Sequence, residues 1–338
     1  MVYTENYLRD LVKIRSSVPG LEKLAGSHVL ITGAGGLICS ALVDFLVSLD
    51  QNVQVYAAGR SVEKLQTRFA HWGDRVHYLK YDALEPVDFP ISFDYYIHGA
   101  SNASPKAYGT QPVETMLGNL LGMQNLLNHA KNQGCKRVLY VSSSEVYGRK
   151  EGSDPYHEQE YGFVDILNPR ACYPSSKRAA ETLCAAYAQE YGVDTVIVRP
   201  GHIYGPTATP TDDRASSQFP RDVLAGKDIV MKSAGTQLRS YCYVLDCVSA
   251  ITAVLLSGEK GKAYNISNRN SLVTIRQMAE AFADAAGRKI IFENPTDAEA
   301  KSYNLMDNSA LDATSLENLG WQGRFDLQSG VKATLDAL

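Results

Sequence analysis

The feature that most constrains this chain is an apolar strand that runs through a glycine-rich turn into an apolar helix. The run HVLITGAGGLIC has Gly33 and Gly36 in the turn and begins its helix at Leu37 and Ile38. Glycines in this setting let the backbone approach a pyrophosphate held at the helix N-terminus. The third glycine that such turns usually carry is replaced by Cys39, which is small enough to permit close packing of helix on strand. The run predicts a dinucleotide-binding turn, and an ordinary glycine turn is the alternative.

Further strands alternate with helices along the first two thirds of the chain. Short apolar runs read VQVYAA, VHY, YYI, VLYV and VIV, and patterns with helical spacing separate them. This alternation predicts an α/β fold with a Rossmann-type doubly wound parallel sheet, in which ligands bind beyond the carboxyl ends of the strands. We expect a dinucleotide-binding domain over residues 26–200 and a smaller substrate lobe over residues 201–338, with some segments of the lobe returning to the Rossmann core.

A helical extension over residues 1–25 precedes the glycine-rich turn. Leu8, Leu11, Val12 and Ile14 fall at helical spacing within it. The pattern predicts an amphipathic helix that packs on the main fold or on a partner subunit.

Charge and cysteine content exclude several classes of function. The 338 residues contain 33 Lys and Arg against 37 Asp and Glu, and a net charge of -4 gives no basic surface for nucleic acid. The six cysteines lack CxxC spacing and the seven histidines are scattered, so we expect reduced thiols and no metal. The N-terminus lacks a secretory signal and no apolar run is long enough to span a bilayer, which predicts a cytoplasmic protein with no membrane partner.

The end of the second strand bears on the choice of dinucleotide. NAD enzymes usually place an acidic residue there to bind the adenosine ribose, whereas this chain has Arg60. Arg60 can pair with the 2′-phosphate of NADP, stack on adenine, or remain solvated at a helix start. These residues alone therefore leave the choice between NAD and NADP open. Asp82, after the next strand, can reach the adenine amino group.

Polar loops follow the later strands and should line one cleft. The loop after VLYV reads SSSEVYG, in which Ser143 can hydrogen-bond a substrate oxygen and Glu145 can supply a second acid or base. Ordinary turn chemistry is the alternative for this serine cluster. The loop RPGHIYGP follows VIV, contains His202, and is positioned to cover the nicotinamide.

A tyrosine and a lysine four residues apart stand at the head of an Ala-rich helix. Tyr173 and Lys177 project from one helix face, so a single small substrate can touch both side chains. A neighbouring ammonium favours the phenolate, which a free tyrosine forms only near about pH 10. An isolated match of this kind is more often a half-buried tyrosine and a solvated lysine, so the surrounding motifs decide its meaning.

Taken together, these motifs resemble the extended short-chain dehydrogenase/reductase family, in its NAD-dependent nucleotide-sugar epimerase and dehydratase group. The resemblance runs from about Ser27 to the C-terminus and is carried by TGxxG, SSEVYG, YxxxK, the RPGHIYGP loop and Arg239. It is nearest to the UDP-glucuronate decarboxylases, through the runs ASP, RACYPSSKR and GTQLRSYCYV.

The resemblance implies a mechanism through a transient 4-keto sugar. Tyr173, tuned by Lys177 and assisted by Ser143, would take the proton of the sugar 4-hydroxyl while hydride passes from C4 to the nicotinamide. Carbon dioxide could then leave C5, Glu145 could promote elimination, or the ketone could be reduced on its other face. Decarboxylation is the leading hypothesis, with 4,6-dehydration, 4-epimerisation and keto reduction as alternatives. A non-catalytic dinucleotide-binding regulator is the alternative from another class.

The resemblance also implies a nucleotide-sugar substrate, a homodimer and the remaining binding residues. Cofactor contacts are expected from Gly33, Gly36, Leu37, Ile38, Arg60, Asp82, Ala100, Asn119, Tyr173, Lys177 and His202. Substrate contacts are expected from Ser101, Ser144, Arg170, Gln218 and Arg239. One departure weakens the decarboxylase hypothesis. Those enzymes carry an Arg-x-Pro element whose arginine is thought to serve the substrate carboxylate, whereas here the stretch reads KSYN, and Lys301 offers a charge without the bidentate fork.

Overall fold

The computed structural model describes residues 3–296, 306 and 308–338. The strands within these residues are β1 (His28–Thr32), β2 (Gln54–Gly59), β3 (Val76–Lys80), β4 (Tyr95–His98), β5 (Arg137–Val141), β6 (Thr195–Pro200), β7 (His202–Tyr204), β8 (Ile229–Met231), β9 (Leu238–Tyr243), β10 (Ala263–Ile266), β11 (Leu272–Thr274), β12 (Ile290–Phe292) and β13 (Asn308–Ser309). The helices are α1 (Glu5–Lys13), α2 (Leu37–Ser48), α3 (Val62–Arg68), α4 (Pro105–Thr110), α5 (Pro112–Gln133), α6 (Cys172–Glu190), α7 (Ala215–Leu224), α8 (Val244–Ser257), α9 (Ile275–Ala285), α10 (Thr314–Glu317) and α11 (Leu327–Ala337).

Seven of these strands form one parallel sheet in the order β10-β6-β5-β4-β1-β2-β3. Side chains of β1 alternate between its two faces, so Val29 and Ile31 join the core beneath α2 and α8 while Leu30 joins the core beneath α5 and α6. Both faces are covered, as parallel sheets require. The predicted doubly wound sheet is confirmed.

The strand order reverses direction between β1 and β4, and this switch point fixes where a ligand can bind. Thr32, the last residue of β1, pairs with Ala58 of β2 on one side and with His98 of β4 on the other. The glycine-rich turn, the end of β2 and the loop after β4 therefore meet at the carboxyl edge of the sheet. Doubly wound sheets bind their ligands at such a topological switch point.

The N-terminal extension forms the predicted amphipathic helix and packs on the fold of its own chain. Tyr7, Leu11 and Ile14 are fully buried, and the hydroxyl of Tyr7 donates to Asp44 Oδ2 of α2 at 2.9 Å. Val12, which the spacing places on the apolar face, is instead 53% exposed. The first buried residue of the helix is Tyr7, an aromatic side chain with a polar tip. The buried face is therefore shifted by one residue position from the predicted face.

The residues after β6 build two small sheets and also return to the main one. β9 pairs with β7, β11 and β13, whereas β8 pairs with β12. β10 adds to the edge of the main sheet beside β6, and α8 packs against α2. Arg239, expected to contact the substrate, lies on β9 and is 3% exposed.

Membrane-spanning helices are absent from the part of the chain that the structure describes, because none of its helices combines the required length with the required hydropathy. The run KSYN that begins at Lys301 lies outside the described residues.

Candidate active site

The glycine-rich turn has the backbone geometry that a close approach requires. Gly33 has a φ of +69°, and a Cβ atom at this position would lie 2.7 Å from the backbone of Ala100 in the loop after β4. Both the left-handed conformation and the close approach therefore demand glycine. The N–H of Gly36 donates to the carbonyl of Gly33 at 2.9 Å, and α2 begins at the next residue.

Cys39 fills the space that a third glycine would leave open. Its thiol faces Gly99, where an added Cβ would lie only 2.3 Å from the Cys39 sulfur. The extra side chain of Cys39 on α2 therefore fits because Gly99, which faces it after β4, has no side chain. Cys39 is 4% exposed, and α2 stays close to the sheet as the sequence predicts.

A cavity of about 710 Å³ opens at this edge of the sheet. Its wall extends from Arg60 at the end of β2, past the glycine-rich turn, to Tyr173 and Lys177 at the head of α6. The hydroxyls of Ser101, Thr115 and Ser142 also belong to the wall, are buried, and have no hydrogen-bond partner within the described residues. Buried hydroxyls are normally paired, so these three indicate a polar ligand in the cavity.

Tyr173 and Lys177 occupy the first turns of α6. Lys177 is 2% exposed, its Nζ donates to the carbonyl of Val141 at 2.8 Å, and it lies 5.7 Å from the centre of the Tyr173 ring. Burial lowers the pKa of Lys177 to about 8. Asn168 caps the turn that precedes the helix by accepting from the N–H of Arg170, which fixes where α6 begins.

The pKa of Tyr173 is raised overall, because burial outweighs the groups around the phenol that lower it. Burial raises its pKa, and the carboxylate of Glu145 raises it further. Hydrogen bonds with Ser143 and Tyr108 and the charge of Arg214 lower the pKa. The Tyr108 ring stacks on Tyr173 with centroids 4.6 Å apart, so packing holds the phenol ring in place.

A bidentate ion pair lies beside this tyrosine. Nη1 of Arg170 donates to Glu145 Oε2 at 3.0 Å and Nη2 donates to Oε1 at 3.2 Å. The same guanidinium lies 4.6 Å from the centre of the Tyr108 ring. Glu145 raises the pKa of Arg170, against the effect of burial. The pair is only one-fifth exposed, so both charges are held in place.

Residues 29–267 match the model of a family described as the NAD dependent epimerase/dehydratase family. The chain belongs to this family.

Named relatives of the chain cover at least 90% of its length. UDP-glucuronic acid decarboxylase 1 of Xenopus tropicalis is 30% identical over 98% of this chain and 76% of its own. UDP-glucuronic acid decarboxylase 3 of Arabidopsis thaliana is 32% identical over 90% and 86%. A solved UDP-glucuronic acid 4-epimerase of Bacillus cereus, in complex with UDP-glucuronic acid and NAD, has a TM-score of 0.76 at 22% identity and covers 92% of this chain and 98% of its own. That last likeness concerns the fold.

Most of the site residues expected from the sequence lie on the cavity wall. Those that line it are Gly33, Gly36, Leu37, Ile38, Arg60, Asp82, Ala100, Ser101, Ser143, Tyr173 and Lys177. Their roles in this chain remain predictions, as do the roles of the expected residues that lie elsewhere.

The expected residues outside the wall have other partners in the described structure. Nδ2 of Asn119 donates to Ser176 at 2.9 Å and joins α5 to α6. Gln218 donates to Asp222 at 2.7 Å on α7, and Nη2 of Arg239 donates to the carbonyl of Met306 at 2.8 Å.

Ser144 and His202 likewise lie off the cavity wall as described. Ser144 is buried in the short turn after β5. The ring of His202 lies 5.6 Å from the Tyr241 ring. Burial, then the charges of Arg239 and Arg214, lower the pKa of His202 to about 3.

Sequence reasoning missed several wall residues. Lys64 lies in the first turn of α3, four residues after Arg60, and this short separation could have revealed it. Thr115 and Gly118 share a face of α5 and also line the cavity, whereas Asn119, one position further on, turns away from it. Arg214 comes from a polar loop in which no spacing distinguishes it.

Proposed function

We propose that this chain is an enzyme that modifies a nucleotide-linked sugar through a transient 4-keto intermediate, with UDP-glucuronate decarboxylation as its reaction. One observation carries the proposal. Ser143, Tyr173 and Lys177 line the same cavity as the glycine-rich turn, so acid-base groups and a dinucleotide-binding turn serve one space. A binding protein without catalysis would have no use for that combination.

The cavity suits a dinucleotide of the NAD type. Gly33 leaves room for a pyrophosphate beside the start of α2, and the unpaired hydroxyls of Ser101, Thr115 and Ser142 offer donors along the wall. NAD, when bound, accepts a hydride and returns it. In this proposal Tyr173 and Lys177 meet the nicotinamide ribose, and Asp82 and Arg60 meet the adenosine.

The residues around Tyr173 can move one proton. As the phenolate, Tyr173 takes the proton of the sugar 4-hydroxyl, and Ser143 hydrogen-bonds the same oxygen. Lys177 supplies a buried positive charge 5.7 Å from the centre of the Tyr173 ring. Arg214, on the cavity wall, supplies a second positive charge. Burial excludes water from these groups, which strengthens each electrostatic interaction among them.

Decarboxylation is favoured over its alternatives by the relatives. The curated relatives at about a third identity are named as UDP-glucuronic acid decarboxylases, and a ketone at C4 makes loss of a C5 carboxylate feasible. Glu145 beside Tyr173 favours a second proton transfer, which 4,6-dehydration also uses. The 4-epimerases, keto-reductases and a dinucleotide-binding regulator are the other outcomes of the test.

The test is mass spectrometry of purified protein mixed with a panel of UDP-, dTDP-, GDP- and CDP-sugars, with NAD and NADP supplied separately. We expect UDP-glucuronate to lose the mass of one carbon dioxide. Loss of water from a neutral hexose would make the chain a dehydratase instead. An unchanged mass with altered sugar-ring NMR signals would indicate epimerisation, and no change by either method would contradict the proposal.

The nucleotide end of the substrate belongs, in this proposal, to the C-terminal lobe over residues 201–338. His202, Arg214 and Arg239 lie near enough for both arginine charges to act on the histidine. Two arginines beside a partly buried histidine form an environment that suits a diphosphate. Gln218 on α7 and Ser144 in the turn after β5 complete the expected contacts.

We further propose a homodimer in the cytoplasm. Val113, Met116 and Leu117 expose apolar surface on α5, the helix that packs along α6, and a second copy is the occupant that symmetry favours. All six cysteines are unpaired, which suits a reducing compartment. Sedimentation of the purified protein tests the first of these proposals.

A further inference from the structure

The adenosine end of the cavity carries two cations and a hydroxyl. Arg60, Ser61 and Lys64 all line the cavity where β2 ends and α3 begins. The Ser61 hydroxyl accepts from the N–H of Lys64 at 3.3 Å, which fixes the turn that presents all three side chains. Arg60 and Lys64 are four residues apart across this turn and face the same space.

The acidic residue that would select NAD is absent from this end of the wall. β2 ends at Gly59, which has no side chain to offer the ribose, and Arg60 follows directly. A carboxylate at this position binds both ribose hydroxyls and repels a 2′-phosphate. Without it, the repulsion that normally excludes NADP is missing.

The two nearest carboxylates are engaged elsewhere. Glu63 accepts from the Ser61 hydroxyl at 2.9 Å, is exposed, and does not line the described cavity. Its charge is also offset by Lys80 on β3. Asp82 does line the cavity, but its Oδ1 accepts from the N–H of Leu84 at 3.0 Å and so holds the side chain to its own loop.

The cations themselves are uncommitted. Within residues 3–296, 306 and 308–338, neither the Arg60 guanidinium nor the Lys64 ammonium takes part in an ion pair or hydrogen bond. A guanidinium can grip a phosphate with two parallel N–H donors, and a lysine adds a mobile point charge. A serine hydroxyl can turn from Glu63 to a phosphate oxygen without any change in the backbone.

We propose that Arg60, Ser61 and Lys64 form a subsite for a phosphate monoester on the adenosine 2′-hydroxyl, so that this chain accepts NADP(H) as well as NAD(H). The inference rests on the dinucleotide site of the proposed function and deepens it. Stacking of Arg60 on adenine is the competing use of the same side chain, and it would favour both dinucleotides equally.

The test is direct binding of NADPH and NADH to the full-length protein by fluorescence titration, after any copurified nucleotide has been removed. 2′,5′-ADP and ADP serve as competitors that differ chiefly in the phosphate position. We expect NADPH to bind at least as tightly as NADH, and 2′,5′-ADP to compete better than ADP. Because the cations are exposed, the advantage of the 2′-phosphate should shrink as salt is raised.

Single substitutions separate the phosphate subsite from its alternative. Arg60→Ala should weaken NADPH about tenfold or more and leave NADH within about twofold, the size expected for charge-assisted hydrogen bonds. Lys64→Ala should act in the same direction and less strongly. Lys227→Ala is the control, because Lys227 is exposed and lies off the cavity wall.

Three results would overturn the inference. NADH binding about tenfold or more tightly than NADPH in the unmodified protein would show that the 2′-phosphate is rejected. Equal weakening of both dinucleotides by Arg60→Ala would assign Arg60 to the adenine ring. Failure of the protein to bind either dinucleotide would remove the dinucleotide site itself, and with it the proposed function.

Discussion

Arg170 and Glu145 meet through two parallel hydrogen bonds, of 3.0 and 3.2 Å, next to the stacked rings of Tyr108 and Tyr173. Sequence reasoning assigned Arg170 to the substrate and Glu145 to acid-base chemistry, without connecting them. The structure joins them in one ion pair whose guanidinium also covers Tyr108. Arg170 therefore fixes the position of Glu145, and through Tyr108 it also supports the tyrosine proposed to act on the sugar.

This pair predicts a loss of turnover on neutralising Glu145. Glu145→Gln should lower kcat on the processed sugar by about 10²-fold or more, the usual range for removing an acid-base group, with KM little changed. Arg170→Lys should give a smaller loss, because lysine keeps the charge without the second donor. Steady-state kinetics of both variants measures this.

A second ion pair provides the control for this prediction. Arg137 and Asp194 form a similar bidentate pair at 2.9 and 3.0 Å, with similar exposure, at the opposite end of β5. Asp194→Asn should leave kcat unchanged. Equal kcat values for Glu145→Gln and the unmodified protein would mean that Glu145 serves only as a partner for Arg170.

The contact between Cys39 and Gly99 predicts a compensating pair of substitutions. Gly99→Ala alone should destabilise the fold by about 1–3 kcal/mol, because its Cβ would collide with the thiol. Adding Cys39→Ala should restore much of that loss, giving a coupling of about 1 kcal/mol or more. Denaturant unfolding of the two single variants and the double variant measures the coupling.

Gly118→Ala is the matched control for steric collision. An added Cβ at this helical glycine meets nothing within 4 Å, so the substitution should be neutral or stabilising. Strictly additive effects in the Cys39 and Gly99 variants would contradict the account of why a cysteine is tolerated in the turn.

Buried His98 predicts acid sensitivity of the fold. Burial and the charge of Lys177 lower the pKa of His98 from 6.5 to about 3, and Thr32 and Tyr140 are its other close neighbours. The unfolded chain binds a proton in this window and the folded chain does not, so the unfolding free energy falls as pH drops below about 6.5. The contribution is about 1.4 kcal/mol per pH unit.

The variant His98→Asn isolates this contribution. Asparagine keeps a polar partner for Thr32 but does not titrate, so its stability curve between about pH 4 and 6 should be shallower by the equivalent of one proton. His202 and Asp246 titrate in overlapping windows in both proteins and cancel in the difference. Parallel curves for the two proteins would show that His98 is protonated in the fold.

The fold could be predicted because its signals are local. The strand, turn and helix around Gly33 and the alternation that follows are written in runs of a few residues, and the sheet order follows from the rules of doubly wound folds. Exposed Val12 shows the limit of such local signals. Helical spacing alone could not reveal that the Tyr7 hydroxyl bonds Asp44, so that the face of α1 with Tyr7 is buried and Val12 is exposed.

The site was only partly predictable because much of it depends on contacts distant in sequence. Tyr173 and Lys177 are four residues apart and share one helix face. Tyr108, which stacks on Tyr173, lies 65 positions away from it in the sequence. Arg214 lines the same cavity and follows β7 in the chain. Arg239 shows a further limit. Its strand, β9, pairs with β11 and with β7, and a short run of sequence carries no signal of these pairings.

The central claim is that Tyr173 starts a reaction in which hydride leaves C4 of the sugar and returns to it. The most direct measurement is mass spectrometry and NMR of the product from UDP-glucuronate deuterated at C4, with the unmodified protein and with Tyr173→Phe. We expect a decarboxylated product that keeps deuterium at C4, and no product from Tyr173→Phe. A product whose C4 deuterium has exchanged with solvent, or turnover by Tyr173→Phe at the unmodified rate, would contradict it.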